Sequence, residues 1–474
     1  VLVHRFIKHI YFIPSLFICP SDLPDDKYYR SWGTNWAEAS KICYEITSST
    51  TCEVLGSGGF GIVYAVPNEN LTDLARIKDH KGIPLIPPML THKKIPGPHV
   101  AIKTLKPKKD MLIEEFKNEM VELHSSFFSY IEFCSASNAG TRPEFSYEPD
   151  AAGRLMSSFP YNLGYNNLCK IYSLVGEQLH REKIVKGPYL LMESNPDMIS
   201  LWHLLYIRNS RDQKMNTIDI LNIAIELAMG VRAIHAKKTA NDKHCIHLDL
   251  KSVNILVSKS ISGHNRGLLG LGEDNPIVKI VDYGASYCTD ESNPSRWIRE
   301  QGSDLWMAPE LFDDPRNGRR VDLKADTYSF AMVLFEMITL DLPWQSDFGV
   351  NGRAQAEVKG LVLEGFHPDY GLIKAIKSYI KDDDEISVED INSFFIVYGI
   401  VTLMKACWQT NPERRPNDDN IIFILILIKY LIVDNKLEEC FPDCRKELSE
   451  IMQQARTMPE GIVPDEKHLN IEFY

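Results

Sequence analysis

The apolar pattern of this chain changes character once. CEVL, GIVYAV and HVAIKTL, between residues 52 and 105, are short β-rich runs punctuated by glycine, and LCKIYSLV and GPYLLME follow as two more. Runs of that kind form a twisted antiparallel sheet. From about residue 215 the long periodic segments are helical: IDILNIAIELAMGVRAIHA, then KADTYSFAMVLFEMIT, then FFIVYGIVTLMKACW. A strand-rich part followed by a helix-rich part predicts an α+β chain of two lobes with a cleft between them. The expected first lobe is 51–194 and the second 195–436, with 1–50 a tail or the remnant of a preceding domain and 437–474 a tail or linker.

Three insertions interrupt the pattern. Residues 66–98 carry Pro84, Pro87, Pro88, Pro96 and Pro98 and are expected to propagate neither strand nor helix. Residues 125–166 are polar and rich in Gly, Ser and Pro, and 258–276 are rich in Ser and Gly. Between the first two, residues 110–124 predict a helix that places Leu112, Phe116, Glu119, Met120 and Leu123 near one face. No repeat period is present.

Composition narrows the function classes. Lys and Arg number 52 against 64 Asp and Glu, a net charge of -12, which disfavours coating nucleic acid or an anionic bilayer. Ten cysteines are scattered singly, apart from Cys440 and Cys444, without a zinc-site rhythm, so a reducing, cytoplasmic setting is expected. The opening VLVHRFIKHIYFIPSLFICP is broken by His4, Arg5, Lys8, His9 and Pro14, and IIFILILIKYLI at 421–432 is short and carries Lys429. Neither is expected to span a membrane, and the second reads as a buried helix. The chain opens on Val1, so regulatory domains before it are expected.

Four motifs carry chemistry. In LGSGGFGIVY the residues Leu55, Gly56, Ser57, Gly58, Gly59 and Gly61 lie between two β-like runs, where glycines let the backbone lie close over phosphates. A dinucleotide fold would open a helix here and a Walker loop would need GK[ST]; GIVYAV follows instead. VAIK at 100–103 sets Lys103 on a strand, and Glu119 shares a helix face with Phe116, Met120 and Leu123, which favours it over Glu115 and Glu122 as the carboxylate that steadies the lysine. IHLDLKSVNILV supplies His247, Asp249, Lys251 and Asn254: a base for a hydroxyl proton, a cation for a phosphoryl group and an oxygen ligand for a metal. VDYG then offers Asp282 to Mg²⁺. A second DFG at 347–349 has no strand ahead of it and reads as a surface loop.

Taken in order with MAPE at 307–310, DTYSF at 326–330 and CWQTNPERRP at 407–416, these motifs resemble those of eukaryotic-type protein kinases over about 50–436. The resemblance implies the two-lobed kinase fold, an N-lobe sheet with one regulatory helix and a mainly helical C-lobe. It also implies ATP and Mg²⁺, with Mn²⁺ as the alternative, and protein substrates. Asp326 would anchor the catalytic-loop backbone and Glu310 would pair with Arg415. Val63, Ala101 and Leu256 would contact the adenine, Met192 would narrow the rear of the pocket, and Glu193 and Asn195 would belong to the connector that binds the base edge. Tyr283, His247, Leu123 and Ile171 would form the regulatory stack. DLKSVN and Ser303 resemble serine/threonine-directed kinases, WMAPE resembles the tyrosine-kinase-like group, and DYG with its following residues resembles the Roco and leucine-rich-repeat kinases. Where such enzymes carry HRD this chain has His247, Leu248 and Asp249, so the arginine that meets a phosphorylated activation loop is replaced. A nucleotide-binding pseudokinase scaffold, a dual-specificity or tyrosine kinase, and a repeat or adaptor protein are the competing readings.

Overall fold

A computed structural model describes residues 36–50, 52–58, 61–78, 84–86, 100–104, 137–138, 165–175, 178–180, 183–186, 189–208, 214–238, 244–260, 277–288, 303–312, 322–344, 354–380 and 387–457. The chain divides into two compact units, one from Asp22–Ser137 with Cys169–Met198, the other from Val1–Ser21, Asn138–Leu168 and Ile199–Tyr474. The first is built on an antiparallel sheet and the second is mainly helical, as the α+β reading requires.

In the first unit, helix α1 (Trp36–Ser48) precedes strands β1 (Val54–Gly58) and β2 (Gly61–Ala65), helix α2 (Asn68–Arg76), and strands β3 (Val100–Thr104), β4 (Ile171–Val175) and β5 (Tyr189–Glu193). The strand order is β1-β2-β3-β5-β4, with every neighbouring pair antiparallel. The middle strands are the most apolar. Val100, Ala101 and Ile102 of β3 and Tyr189 to Met192 of β5 are all buried, as strands covered on both faces must be.

Two expectations are corrected here. Residues 36–48 are not a tail: Ala39, Cys43 and Ile46 recur at helical spacing and pack with Ile102, Tyr189 and Leu191 of the sheet. Burial in that core pushes the Cys43 thiol up to about 12. Nor do residues 66–98 lack regular structure throughout, because α2 occupies their start, with Leu71 and Leu74 in the same core. The helix-breaking prolines lie beyond its end at Arg76, and Pro67, ahead of its first turn, suits an N-terminus. The predicted helix at 110–124 lies outside the described residues, as do most of 125–166 and 258–276.

The second unit is organised by α4 (Lys324–Thr339), which follows α3 (Thr217–His235) and strands β6 (Cys245–Ile246), β7 (Ile255–Ser258), β8 (Val278–Ile280) and β9 (Tyr287–Cys288). Every residue from Ala325 to Ile338 of α4 is buried, so this helix has no solvent face and serves as the core. Helices α5 (Ala354–Glu364), α6 (Asp369–Ser378), α7 (Val388–Cys407), α8 (Asp418–Val433) and α9 (Cys444–Thr457) complete the unit. α6 and α7 pack on α4, and α8 packs on α3.

Local chemistry marks the helix ends. Asn216 accepts the Ile218 N–H at the start of α3, Ser387 and Asp390 form a capping box on α7, and Asn417 caps α8. The run 421–432 lies in α8 and is largely buried, as expected. Among the described residues α7 is the one helix long and apolar enough to cross a membrane, and 78% of its apolar window is buried inside the protein.

Strands β7 and β8 pair antiparallel, as do β6 and β9, and β6 and β7 flank the segment 247–254. Glu226 of α3 fixes β8 by accepting the N–H groups of Ile277 (2.8 Å) and Val278 (3.1 Å), together with Asn167 Nδ2 (2.9 Å). Gly230 lets α3 come this close, since a Cβ there would lie 2.8 Å from Ile280 Cδ1.

Glu310 and Arg415 form a bidentate pair at 2.6 and 2.8 Å, with the arginine side chain wholly buried. Carbonyls of Gln409, Lys324 and Thr410 take the remaining donors. Glu310→Ala is expected to lower stability by about 3–5 kcal/mol, because it strands a buried guanidinium. Urea denaturation of the variant against wild type measures it.

Candidate active site

The loop from His247 to Asn254 begins in strain. Leu248 has φ 64°, in the left-handed region, an uncommon place for an apolar residue. Asp326 of α4 holds it there: its carboxylate accepts the His247 N–H at 2.7 Å and the Leu248 N–H at 2.9 Å. The anchoring role implied for Asp326 is therefore present as two hydrogen bonds.

Asp249 is surrounded by donors. Asn254 Nδ2 donates to its carbonyl at 2.8 Å and to Oδ2 at 2.9 Å, and Lys251 Nζ lies 3.0 Å from Oδ1 and 2.8 Å from Oδ2. The ammonium also donates to Ser303 Oγ at 2.7 Å, and that hydroxyl sends its own proton to Oδ1 at 3.3 Å. With its side chain 11% exposed, the carboxylate is oriented but still reachable. Such a group can accept the proton of a hydroxyl placed against it.

The neighbouring segment is tied to this loop. His247 Nδ1 accepts the Asp249 N–H at 3.3 Å, which leaves Nε2–H to donate to Val281 O at 3.1 Å and fixes the tautomer. Val281 N–H in turn donates to Asn254 O at 3.0 Å. Asp282 follows in the left-handed region, φ 66° and ψ 72°. Tyr283 is fully buried, its hydroxyl donates to Ile280 O at 2.9 Å, and its ring meets that of His247 edge-on at 5.8 Å. The partner demanded by a buried tyrosine hydroxyl is thus a backbone carbonyl. Of the stack, Leu123 lies outside the described residues and Ile171 is buried in the first unit.

A second buried carboxylate supports the loop from its other end. Glu336, also on α4, is 0% exposed and accepts from Tyr206 Oη (3.0 Å), Ser252 Oγ (2.6 Å) and Trp306 Nε1 (2.7 Å). Burial raises its carboxyl to about 7, although the three donors pull the other way. Neither Glu336 nor His235, which meets Asp326 at 3.0 Å, stood out in the sequence. Each lies in an apolar helical run whose period says nothing about its polar partners.

The first unit holds most of the remaining predicted residues. Gly56, Ser57 and Gly58 of β1 pair with Val63, Ile62 and Gly61 of β2, Leu55 is exposed, and a Cβ at Gly56 would meet nothing within 4 Å. Val63 is opposite Lys103, and Ala101 is opposite Met192; the last two are buried. Lys103 is partly buried on β3. Glu193 spends its N–H on Lys170 O (2.8 Å) and accepts the Lys170 N–H on its side chain (3.1 Å), while Asn195 Oδ1 caps the Asp197 N–H (3.0 Å). Gly59 and Glu119 lie outside the described residues. Leu256, on β7 of the second unit, pairs with Lys279.

Among the described residues no group of three His, Cys, Asp or Glu side chains could hold a metal ion by itself. Asn254 and Asp282 are hard oxygen donors on segments joined by the Val281–Asn254 hydrogen bond, a pair suited to Mg²⁺ that also takes oxygens from a phosphate ligand.

A family model described as protein kinase domain matches residues 161–423, more than half of the chain. Relatives include the RGS domain-containing serine/threonine-protein kinase A of Dictyostelium discoideum, 28% identical over 229 residues, covering 48% of this chain and 15% of that protein. The serine/threonine/tyrosine-protein kinase HT1 of Arabidopsis thaliana is 24% identical over 221 residues, 47% of this chain and 43% of its own. The probable serine/threonine-protein kinase roco7 of Dictyostelium discoideum is 25% identical over 245 residues, 50% and 7% respectively. The chain spans less than half the length of each of these relatives.

Glu336 gives this site a measurable signature. Its carboxyl ionises at about 4.5 when unfolded and about 7 when folded, so wild-type stability falls as pH rises between those values. In urea melts from pH 4 to 8, Glu336→Gln is expected to lose that slope. Glu336→Ala, which leaves three donors without their acceptor, should cost about 2–4 kcal/mol at pH 6.

Proposed function

The chain belongs to the protein kinase domain family, and on that premise we propose that it transfers the γ-phosphoryl group of ATP to serine and threonine hydroxyls of protein substrates, with Asp249 as the base. The observation that carries this reading is the Asp249 carboxylate held by Asn254, Lys251 and Ser303. ATP bound with Mg²⁺ would supply the phosphoryl group and an electrophilic phosphorus. Asn254 and Asp282 would hold the metal, Lys103 with Glu119 would position phosphate oxygens, and the glycine loop 55–61 would cover them. Val63, Ala101, Met192, Glu193, Asn195 and Leu256 would enclose the adenine.

The protein's own part is orientation and proton movement. Asp249 accepts the hydroxyl proton as the oxygen attacks, and Lys251, already bridging Asp249 and Ser303, offsets charge on the moving group. That bridge supports serine/threonine specificity, as do the names of relatives, one of which includes tyrosine. WMAPE and CWQTNPERRP support a place in the tyrosine-kinase-like group, and the match to roco7 is in keeping with a Roco relationship. The cytoplasm is the proposed setting.

Leu248 shapes the regulation. It is 5% exposed and its N–H is held by Asp326, so the loop is set from α4 without a cation that would need a phosphate partner. Ser286, one of the hydroxyls after DYG, is itself buried.

Labelled ATP with a panel of protein substrates tests this reading. Asp249→Asn and Lys103→Met should each reduce transfer by about 10²-fold or more, and phosphoamino-acid analysis should return phosphoserine and phosphothreonine. No transfer by wild type would favour a nucleotide-binding scaffold. Phosphatase-treated wild type is expected to keep most of its rate; a near-total loss would show that a phosphorylated segment is needed after all.

A further inference from the structure

Asp326 does not act alone on the catalytic loop. Its Oδ2, which receives the His247 N–H, also lies 3.0 Å from His235 Nε2, and the other ring nitrogen of His235 lies 2.8 Å from Oδ2 of Asp418. The histidine is 3% exposed, Asp326 0% and the Asp418 side chain 18%. Ionised carboxylates only accept, so an imidazole between two of them donates from both nitrogens and carries a positive charge. The three residues come from α3, α4 and α8, and the line they form runs from the first turn of α8 to the strained turn at Leu248.

The surrounding charges are already engaged. Lys324 Nζ donates to Arg415 O at 2.8 Å, Arg415 is paired with Glu310, and Arg232 bonds Asp419 at 2.6 Å. His244 Nδ1 lies 2.8 Å from the His235 carbonyl. Burial alone would lower the His235 pKa, but Asp418 and Asp326 outweigh it and hold it at about 10. Asp418 is held below its ordinary value, despite burial, chiefly by His235, with Lys324 and Arg232 adding to it.

We propose that Asp418 is a positioning residue for phosphoryl transfer: through the His235 imidazolium it fixes the Asp326 carboxylate, and through Asp326 the Leu248 turn that aims Asp249. The proposal rests on Asp249 as the base. Asp326 Oδ2 serves two donors at once, so its orientation depends on the ring beside it, and the ring keeps its charge because Asp418 faces its other side. A catalytic loop with leucine in place of arginine has this internal ion triad as its electrostatic support.

The test compares Asp418→Asn, Asp418→Glu and Asp419→Asn in the full chain. In Asp418→Asn, kcat is expected to fall about tenfold, the factor one charge-assisted hydrogen bond can supply, with KM for ATP within about twofold. Its kcat should fall further as pH rises from about 7 to 9, where a less supported His235 loses its proton, while wild type holds its rate. Asp418→Glu, which restores the charge, should recover most of the rate, and Asp419→Asn should match wild type. Hydrogen exchange in a peptide spanning residues 245–250 should quicken in Asp418→Asn alone. An unchanged kcat and pH profile in Asp418→Asn, a loss shared by Asp419→Asn, or a loss equal to the fall in folded fraction overturns the proposal. If wild type transfers no phosphoryl group, the Asp249 reading fails, and exchange alone decides the relay: unchanged protection overturns it. Should Asp418→Asn fail to fold, NMR of wild-type His235 decides it, with protonation through about pH 8 expected and titration near 6.5 contrary to it.

Discussion

Two consecutive backbone N–H groups, His247 and Leu248, end on one buried carboxylate, Asp326, and the geometry of the loop 247–254 follows from that. A leucine at φ 64° persists only where its surroundings over-determine it. Asp326 does so by fixing both donors at once. Once the turn is set, Asp249 projects beyond it, Lys251 and Asn254 close on Asp249, and Ser303 joins through Lys251.

The same device recurs through the second unit. Glu226 gathers the start of β8, Glu336 gathers Ser252, Trp306 and Tyr206, and Glu310 grips Arg415. Glu336 is fully buried and Glu226 and Glu310 are partly so; taking carboxylates out of water is costly, and well-packed apolar groups would often be as stable. What they add here is direction. Each fixes donors from segments far apart in sequence, which an apolar contact cannot orient. Because α4 is buried on every side, Asp326 and Glu336, ten residues apart on it, share a rigid frame.

Much of this was legible in the residue pattern. The strand runs of the first unit and the long helices of the second follow from local periodicity, and capping residues at Asn216, Ser387 and Asn417 mark helix starts where the patterns begin. Asp249, Lys251 and Asn254, which the structure brings into mutual hydrogen bonds, were legible as a group because they lie within six positions of one loop. The helix at 36–48 was not, since the buried Ala39, Cys43 and Ile46 stand among other apolar residues, Tyr44 exposed among them, and the buried stripe separates out only when the sheet it covers is in view. The helix at 68–76 was obscured by prolines that come after it.

The sequence by itself determined the class of each unit and the kinds of chemical group available at each motif, because hydrophobic period, glycine placement and side-chain type are local properties. Only the tertiary structure decided which buried charges neutralise one another. His235, Asp326 and Asp418 are separated by scores of residues and meet only when α3, α4 and α8 pack, and a carboxylate is either a solvated surface charge or a fixed acceptor according to what packing brings within about 3 Å of it.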